Sequence, residues 1–226
     1  ITDSLVGSEM CIRDSPPGSG LLDLELGRES ELTHYDWITD TTVHDGSAWA
    51  YMKNSKYKTT TDLVHYLIDN VSKNGYMLLN IGPKPDGTIP EEDKNLLEGI
   101  GNWLDVNGEA IFETETWDQY GEGPTKMNEA GPFSDNRAKL NYTAKDFRFT
   151  TKDNFLYATA LGWPSKDFTI ESIYKLFDNE IERVELLGST DKVEWKHTRD
   201  GLHITRPDNK PCEHAYSFKI TRKEYL

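Results

Sequence analysis

Between Val71 and Pro90 the chain reads VSKNGYMLLNIGPKPDGTIP, and this order of residue types restricts the fold more than any other stretch. Glycine just past the last apolar turn of a helix takes the left-handed cap conformation without a Cβ clash, so Gly75 is expected to close a helix. Tyr76 to Ile81 follows as a nearly unbroken apolar run, expected to be a strand covered on both faces. Asn80 is the exception, an amide at the far end of that strand. Gly82, Pro83, Pro85 and Asp86-Gly87 supply a loop, and Thr88 with Glu91 has the spacing of a capping box. Helix, buried strand, loop and helix in succession are what a parallel α/β sheet or barrel requires, and such folds place their sites at the carboxyl ends of strands.

The rest of the chain divides by periodicity. Leu63, Val64, Leu67, Ile68 and Val71 recur at helical spacing, predicting an amphipathic helix from Thr61 to Lys73. Leu96, Leu97, Ile100, Trp103 and Leu104 predict a second from about Pro90 to Val106, ended by Asn107-Gly108. Trp37 to Val43 is β-branched and reads as a strand or extended loop. Residues 118–145, rich in Gly, Pro, Asp, Asn and Lys, read as a linker or long loop. Beyond them the period becomes two. Candidate strands are Phe147–Thr150, Phe155–Leu161, Phe168–Ser172, Arg183–Leu187, Val193–His197, Leu202–Thr205 and Ala215–Thr221, which together indicate an antiparallel β-sandwich. The expected fold is therefore α/β plus all-β. Residues 16–117 read as the terminal part of a (β/α)8 barrel and 146–226 as the sandwich; a whole barrel needs roughly 250 residues.

Composition excludes several functions. A net charge of -14 argues against nucleic acid as a partner, since phosphate binding needs Lys and Arg. It suits an uncharged substrate, as it also suits plain solubility. No apolar run approaches the ~20 residues that span a bilayer, so no membrane is expected either. The two cysteines, Cys11 and Cys212, make neither a disulfide framework nor a zinc set. The six histidines are scattered, and no glycine-rich nucleotide loop is present. No cofactor and no metal are expected. Ile1 to Ser15 (ITDSLVGSEMCIRDS) does not join the pattern that follows and lacks the layout of a secretory signal. It resembles translated sequencing-adapter DNA and is taken as a foreign or disordered tail, so the chain is expected to begin inside a longer protein.

The stretch at 71–90 resembles the last barrel strand of the α-L-fucosidases of glycoside hydrolase family 29. There a Val-Ser-Lys-x-Gly-x-x-Leu-Leu-Asn-Ile-Gly-Pro pattern precedes Asp-Gly-x-Ile-Pro, as it does here. Gly101-Asn102-Trp103-Leu104 and Asn107-Gly108-Glu109-Ala110-Ile111 continue the resemblance. Leu156-Tyr157-Ala158, Trp163-Pro164, Leu186-Leu187-Gly188 and Trp195 with Gly201-Leu202-x-Ile204 extend it into the sandwich. The resemblance implies a retaining exo-α-L-fucosidase acting on terminal fucose of glycans, in a periplasmic or secreted location.

Retaining glycosidases need two carboxyl groups about 5–5.5 Å apart, one as nucleophile and one as general acid/base. In the family the nucleophile is an Asp in a Trp-x-Asp strand end. The Trp-x-Asp of this chain, Trp103-Leu104-Asp105, lies on the predicted helix after the last strand, with Trp103 expected in the core and Asp105 in solvent. The nucleophile and the family's early fucose-binding histidines are absent, so this chain alone is expected to be inactive. For the acid/base, the family's Glu-x-Gly-Arg stretch falls on Glu25-Leu26-Gly27-Arg28, which makes Glu25 the candidate, with Glu29 and Asp40 behind it. A second family position, directly after the strand's tryptophan, is Ile38 here. Glu25 also reads as a solvent-exposed loop carboxylate, and Arg28 either as a group orienting a carboxylate or sugar hydroxyl or as a surface charge. Trp49 and Tyr51 match the family's Ser-Trp-Gly-Tyr element, whose aromatic face suits the C–H side of fucose; without the resemblance they read equally well as core. Trp37 and Asn80 are expected to support the pocket. A competing reading is a non-catalytic carbohydrate-binding or structural sandwich, with Trp163 and Trp195 as a sugar platform.

Overall fold

The structure is a computed structural model that describes residues 20–46, 48–136 and 140–223. The expected tail at 1–15, with Cys11, lies outside the described residues, as does Ser47.

The first half is a parallel sheet in the order β1 (Leu22–Asp23), β2 (Trp37–Thr42), β3 (Gly75–Asn80). Helix α1 (Thr60–Ser72) joins β2 to β3, and α2 (Glu91–Asn107) follows β3. Thr59 starts α1 through a reciprocal capping box with Asp62. Leu63, Val64 and Ile68 of α1 pack on Leu96, Ile100 and Trp103 of α2, the apolar positions marked by the helical period.

Three local expectations are corrected. Asn74, with φ of 71°, takes the left-handed position after α1, whereas Gly75 is already the first residue of β3. Glycine is required at 75 because a Cβ there would sit 2.4 Å from the Trp37 ring. Thr88 does not cap α2; its amide and hydroxyl donate to Asp86, and Pro90 stands at the N-cap. Finally, β3 is not covered on both faces. Tyr76 is 54% and Leu78 59% exposed, because β3 is an edge strand whose open face has no second layer among the described residues.

The second half is an antiparallel sandwich. One sheet runs β4 (Glu115–Glu122), β5 (Phe147–Lys152), β6 (Phe155–Ala160), β11 (Tyr216–Arg222), β8 (Ile181–Leu186). The other runs β7 (Phe168–Ile170), β10 (Gly201–Ile204), β9 (Trp195–Thr198). Phe149, Leu156, Phe218 and Ile220 of the first sheet meet Ile170, Leu202 and Ile204 of the second in a closed core. β4 runs into the stretch expected to be a linker, and its ladder to β5 is interrupted by a shift between Thr116 and Gly121. The opposite face of the five-stranded sheet docks on the first half. Thr150 Oγ1 donates to the Ala110 carbonyl at 2.8 Å, Tyr157 OH to Glu109 at 2.8 Å, and Ser217 N to Asn107 Oδ1 at 3.2 Å.

Candidate active site

The pleat sorts the parallel sheet into two faces. Trp37, Thr39 and Thr41 of β2 are fully buried and face the helices. Leu22 pairs with Trp37, and the Leu24 and Leu26 amides continue the ladder to the Ile38 and Asp40 carbonyls, so Leu22, Leu24 and Leu26 share that side. Asp23 and Glu25 therefore project from the other face, beside Ile38 and Asp40, with Leu78 and Asn80 of β3 next in register. Three carboxylates, Asp23, Glu25 and Asp40, converge near the carboxyl end of a parallel sheet.

Their mutual effect is electrostatic. Partial burial pushes the Asp40 carboxyl up to about 6, and the neighbouring Asp23 and Glu25 charges push it the same way. Asp23 Oδ1 and Asp40 Oδ1 are buried without a hydrogen-bond partner. Asp40 therefore takes up a proton as pH falls through about 6, and the unpaired oxygens present acceptors to a hydroxyl-bearing ligand.

The mouth above the cluster is built by side chains at strand ends. Asn80 Nδ2 donates to the Trp49 carbonyl at 2.9 Å, and Thr42 Oγ1 to the Ala48 carbonyl at 2.9 Å. Both donors lie on the carboxylate face, so the segment carrying Trp49 and Tyr51 is tethered over it. Gly82 packs against the Tyr51 backbone so closely that a Cβ would stand 2.8 Å from its nitrogen. Trp49 and Tyr51 are half-buried.

Glu25 sits in a reversal of the chain. Gly27 N donates to the Leu24 carbonyl at 3.0 Å, and buried Leu26 adopts φ of 47°, a left-handed conformation disfavoured for a branched side chain. Residues 131–135 clamp this turn. Phe133 N donates to the Glu25 carbonyl at 2.7 Å, Asp135 N to Leu26 at 3.0 Å, and Gly131 N to Arg28 at 2.8 Å. A Cβ on Gly27 would stand 2.2 Å from the Gly131 carbonyl oxygen.

Arg28 is not a surface charge. It is 6% exposed, and Nε pairs with Asp135 Oδ1 at 3.1 Å while Nη1 lies 3.6 Å from Asp69, beneath α1. Its guanidinium is engaged there and anchors the turn that carries Glu25. The Glu29 carboxylate accepts from Tyr35 OH at 3.1 Å. Trp37 packs at the amino-terminal end of the sheet, its Nε1 donating to the Lys73 carbonyl at 3.2 Å, so its support is to the sheet and not to the mouth. Trp103 is buried and donates to the Ala215 carbonyl, and Asp105 is exposed, as the sequence indicated. Trp163 lies edge-on to Tyr216 with the Arg206 guanidinium over its ring, and Trp195 is partly buried against the sandwich core, where it lines a surface pocket with Thr169 and His203. Among the described residues no cluster of His, Cys, Asp and Glu has the arrangement of a metal site, and no helix is long and apolar enough to cross a membrane.

Asp23 and the clamp at 131–135 were not singled out from the sequence. Asp23 had a signal: Leu22, Leu24 and Leu26 alternate with Asp23 and Glu25 at the period of a strand. The clamp had none, because its contacts with Glu25 and Leu26 are made by backbone groups.

The sequence profile described as alpha-L-fucosidase matches residues 6–109, and that described as the alpha-L-fucosidase C-terminal domain matches residues 139–221. The chain belongs to the α-L-fucosidase family. The first match begins within the fifteen residues read as foreign. Among relatives, the plasma alpha-L-fucosidase of Pongo abelii is 31% identical over 198 residues, covering 84% of this chain and 38% of that protein. The tissue alpha-L-fucosidase of Rattus norvegicus is 29% identical over 203 residues, covering 86% and 39%. The Thermotoga maritima alpha-fucosidase solved in complex with fucose superposes with a TM-score of 0.67 at 26% identity, over 90% of this chain and 43% of that one. The chain thus spans about two-fifths of the length of these relatives.

Proposed function

We propose that this chain is the carboxyl-terminal part of a retaining exo-α-L-fucosidase that removes terminal fucose from glycans in a periplasmic or secreted location. Residues 20–114 supply the last strands of a (β/α)8 barrel, β4 (Glu115–Glu122) opens the sandwich that resumes at β5 (Phe147–Lys152), and the stretch between β4 and β5 connects the two strands. The observation that carries this reading is the Asp23–Glu25–Asp40 cluster lying at the carboxyl end of a parallel sheet, below a tethered aromatic segment, in a member of the fucosidase family. β3 is the edge of the sheet, so its unpaired backbone side suits addition of a further barrel strand, and the strands of a closed barrel would cover the face that carries Tyr76 and Leu78.

In this reading Glu25 protonates the glycosidic oxygen as the leaving group departs, then takes a proton from the water that attacks the glycosyl-enzyme intermediate. The nucleophilic Asp lies upstream. Trp49 and Tyr51 cover the C–H edge and methyl of fucose, and the orphaned Asp23 and Asp40 oxygens accept from substrate hydroxyls. Arg28 acts at one remove by holding the Glu25 turn against Asp135.

The test joins this chain to the preceding part of an α-L-fucosidase barrel and measures p-nitrophenol release from p-nitrophenyl α-L-fucoside. The joined protein is expected to hydrolyse it and the 226-residue chain alone to release none. Turnover by the chain alone, above a buffer blank, overturns the placement of the nucleophile upstream.

A further inference from the structure

The sandwich holds a cavity that the fucosidase reading does not use. It has a volume of about 640 Å³ and opens between the two sheets at the end where β11 finishes. Its floor is aliphatic, from Leu156, Ile173, Ile181 and Ile220, and Trp117 forms one wall, held edge-to-face on Phe149 at 5.1 Å. Polar groups ring this floor, among them Asp118, Gln119, Asn154, Glu180 and Arg222. Tyr174 and Leu176 line it too, 49% and 67% exposed, and Phe177 beside them is 66% exposed.

Two features set this cavity apart from an ordinary gap at a sandwich end. Arg222 Nε is buried with no partner, while the same guanidinium donates through Nη2 to Thr151 Oγ1 at 2.9 Å and to the Asp153 carbonyl at 3.3 Å. No carboxylate forms an ion pair with it among the described residues. A cation so placed has hydrogen-bonding capacity left for a ligand oxygen. The second feature is the contiguous exposed apolar lip, which is a cost to a soluble surface unless it is covered.

We propose that this cavity binds a pyranose unit of a neutral glycan, at a site separate from the acidic cluster of the parallel sheet. An aromatic wall and aliphatic floor match the C–H faces of a sugar ring, and Asp118, Gln119 and Arg222 Nε match its hydroxyls, whereas Glu180 is held by the Leu176 and Phe177 amides and Asn154 Nδ2 by the Arg222 carbonyl. The volume falls in the roughly 300–1,000 Å³ range of small-ligand sites. Acidic Asp118, Asp153 and Glu180 beside Arg222 and Lys223, on a chain of net charge -14, disfavour a phosphate or another polyanion. The barrel side of the molecule does not reach the cavity by the known docking surface. Thr150, Tyr157 and Ser217, which touch the 107–110 segment, point from the face of the sheet opposite to Leu156 and Ile220. The site therefore gives the sandwich a hold on glycan that does not require the active site.

The experiment is saturation-transfer NMR on the full 226-residue chain with methyl α-L-fucopyranoside and methyl β-D-galactopyranoside as probes. Transfer to the ring C–H protons of at least one probe is expected. Binding should weaken about fivefold in Tyr174→Ala and again in Asp118→Ala, each removing one contact. A Glu25→Gln, Trp49→Ala double variant should bind methyl β-D-galactopyranoside as the parent does, so failure of the fucosidase reading and failure of this one are told apart. Unchanged amide spectra in the exposed-lip variant Leu176→Ser, with weakened transfer, separate loss of binding from loss of fold. No transfer to either probe overturns the proposal. Transfer abolished by the Glu25, Trp49 pair and kept in Tyr174→Ala overturns it too, as does self-association that Leu176→Ser abolishes in the absence of sugar binding.

Discussion

Arg148 Nε lies 2.6 Å from Asp69 Oδ1, so a single ion pair joins β5 of the sandwich to α1 of the parallel-sheet half. Lys73 Nζ, at 2.9 Å, and Arg28, at 3.6 Å, approach the other oxygen of the same carboxylate. Asp69 is wholly buried, and three cations share it, with Asp135 relieving Arg28. Aromatic faces absorb part of the surplus: Tyr66 lies 4.3 Å under the Arg28 guanidinium, and Tyr120 and Tyr142 lie about the Arg148 group. The turn that carries Glu25 thus ends in the same ionic cluster that fastens the sandwich.

Asp69→Asn should accordingly destabilise the chain by about 3–5 kcal/mol, the cost of leaving buried cations without their counterion. The three cations hold the Asp69 carboxyl well below the usual carboxylate range, against the opposing effect of burial. A depressed acid contributes stability that is complete above its unfolded-state value and lost as pH falls toward the folded one. The parent should therefore weaken on acidification below about pH 4, with a slope that Asp69→Asn reduces. Urea unfolding at pH 7 and pH 3.5 measures both. A loss under about 1 kcal/mol at pH 7 would show that the cluster is not the fastening it is taken for.

Asp40 has the opposite sign. Its folded value of about 6 lies above the ordinary aspartate value, so its contribution to stability is greatest when both states are protonated and is lost as pH rises through about 6. Asp40→Asn should raise stability at pH 7 by about 1 kcal/mol, less than the full linkage value because solvent reaches the cluster. The same substitution should flatten the stability profile between about pH 4 and 6. Thermal unfolding across that range reads the difference, and an unaltered slope would remove Asp40 from the cluster.

Both helices and the sandwich strands beyond residue 146 were legible because the period of buried residues matches the element they build. Leu63, Val64 and Ile68 face one way on a helix; Phe147 and Phe149 face one way on a strand. β4 was not legible, since Glu115–Glu122 alternates poorly and its pairing shifts partway along. The exposure of Tyr76 and Leu78 was not legible either. Their apolar run encodes a strand covered on both faces, and the cover is not in the described residues. At the candidate site, Glu25, Trp49 and Tyr51 were proposed from the family pattern, and the structure adds Asp23 beside Glu25 and the tethers from Thr42 and Asn80. The burial of Arg28 under α1 could not be read locally, because its partners Asp69 and Asp135 are distant in sequence.

The contact between Gly75 and Trp37 makes a sharp packing test. Trp37 is fully buried and fixed by its bond to the Lys73 carbonyl, so it cannot yield to a Cβ placed 2.4 Å from its ring. Gly75→Ala should cost about 2–3 kcal/mol, as overpacking in a rigid site does. Gly101, in α2 with nothing near its absent Cβ, is the control: Gly101→Ala should stabilise by about 0.5–1 kcal/mol. Equal effects of the two substitutions in chemical unfolding would remove the steric account of Gly75.

In the function proposed for this chain Glu25 is the general acid/base, and the substitution that tests it belongs in the joined protein. A general acid matters most when the leaving group is poor, because the departing oxygen then needs its proton. Glu25→Ala should therefore slow hydrolysis of natural fucosyl linkages strongly, by on the order of 10²–10⁴-fold. Formation of the glycosyl-enzyme intermediate from activated aryl fucosides should be much less affected. Its second step still needs a base to activate water, so turnover of the aryl substrate should stall at the intermediate. Azide needs no base and should restore turnover, giving a fucosyl azide. Asp23 and Asp40 stand close enough to share the local charge, so their variants should shift the pH profile without creating azide dependence. Equal losses on both substrate types, with no azide rescue, would move the acid/base role to Glu29, Asp40 or an upstream carboxylate.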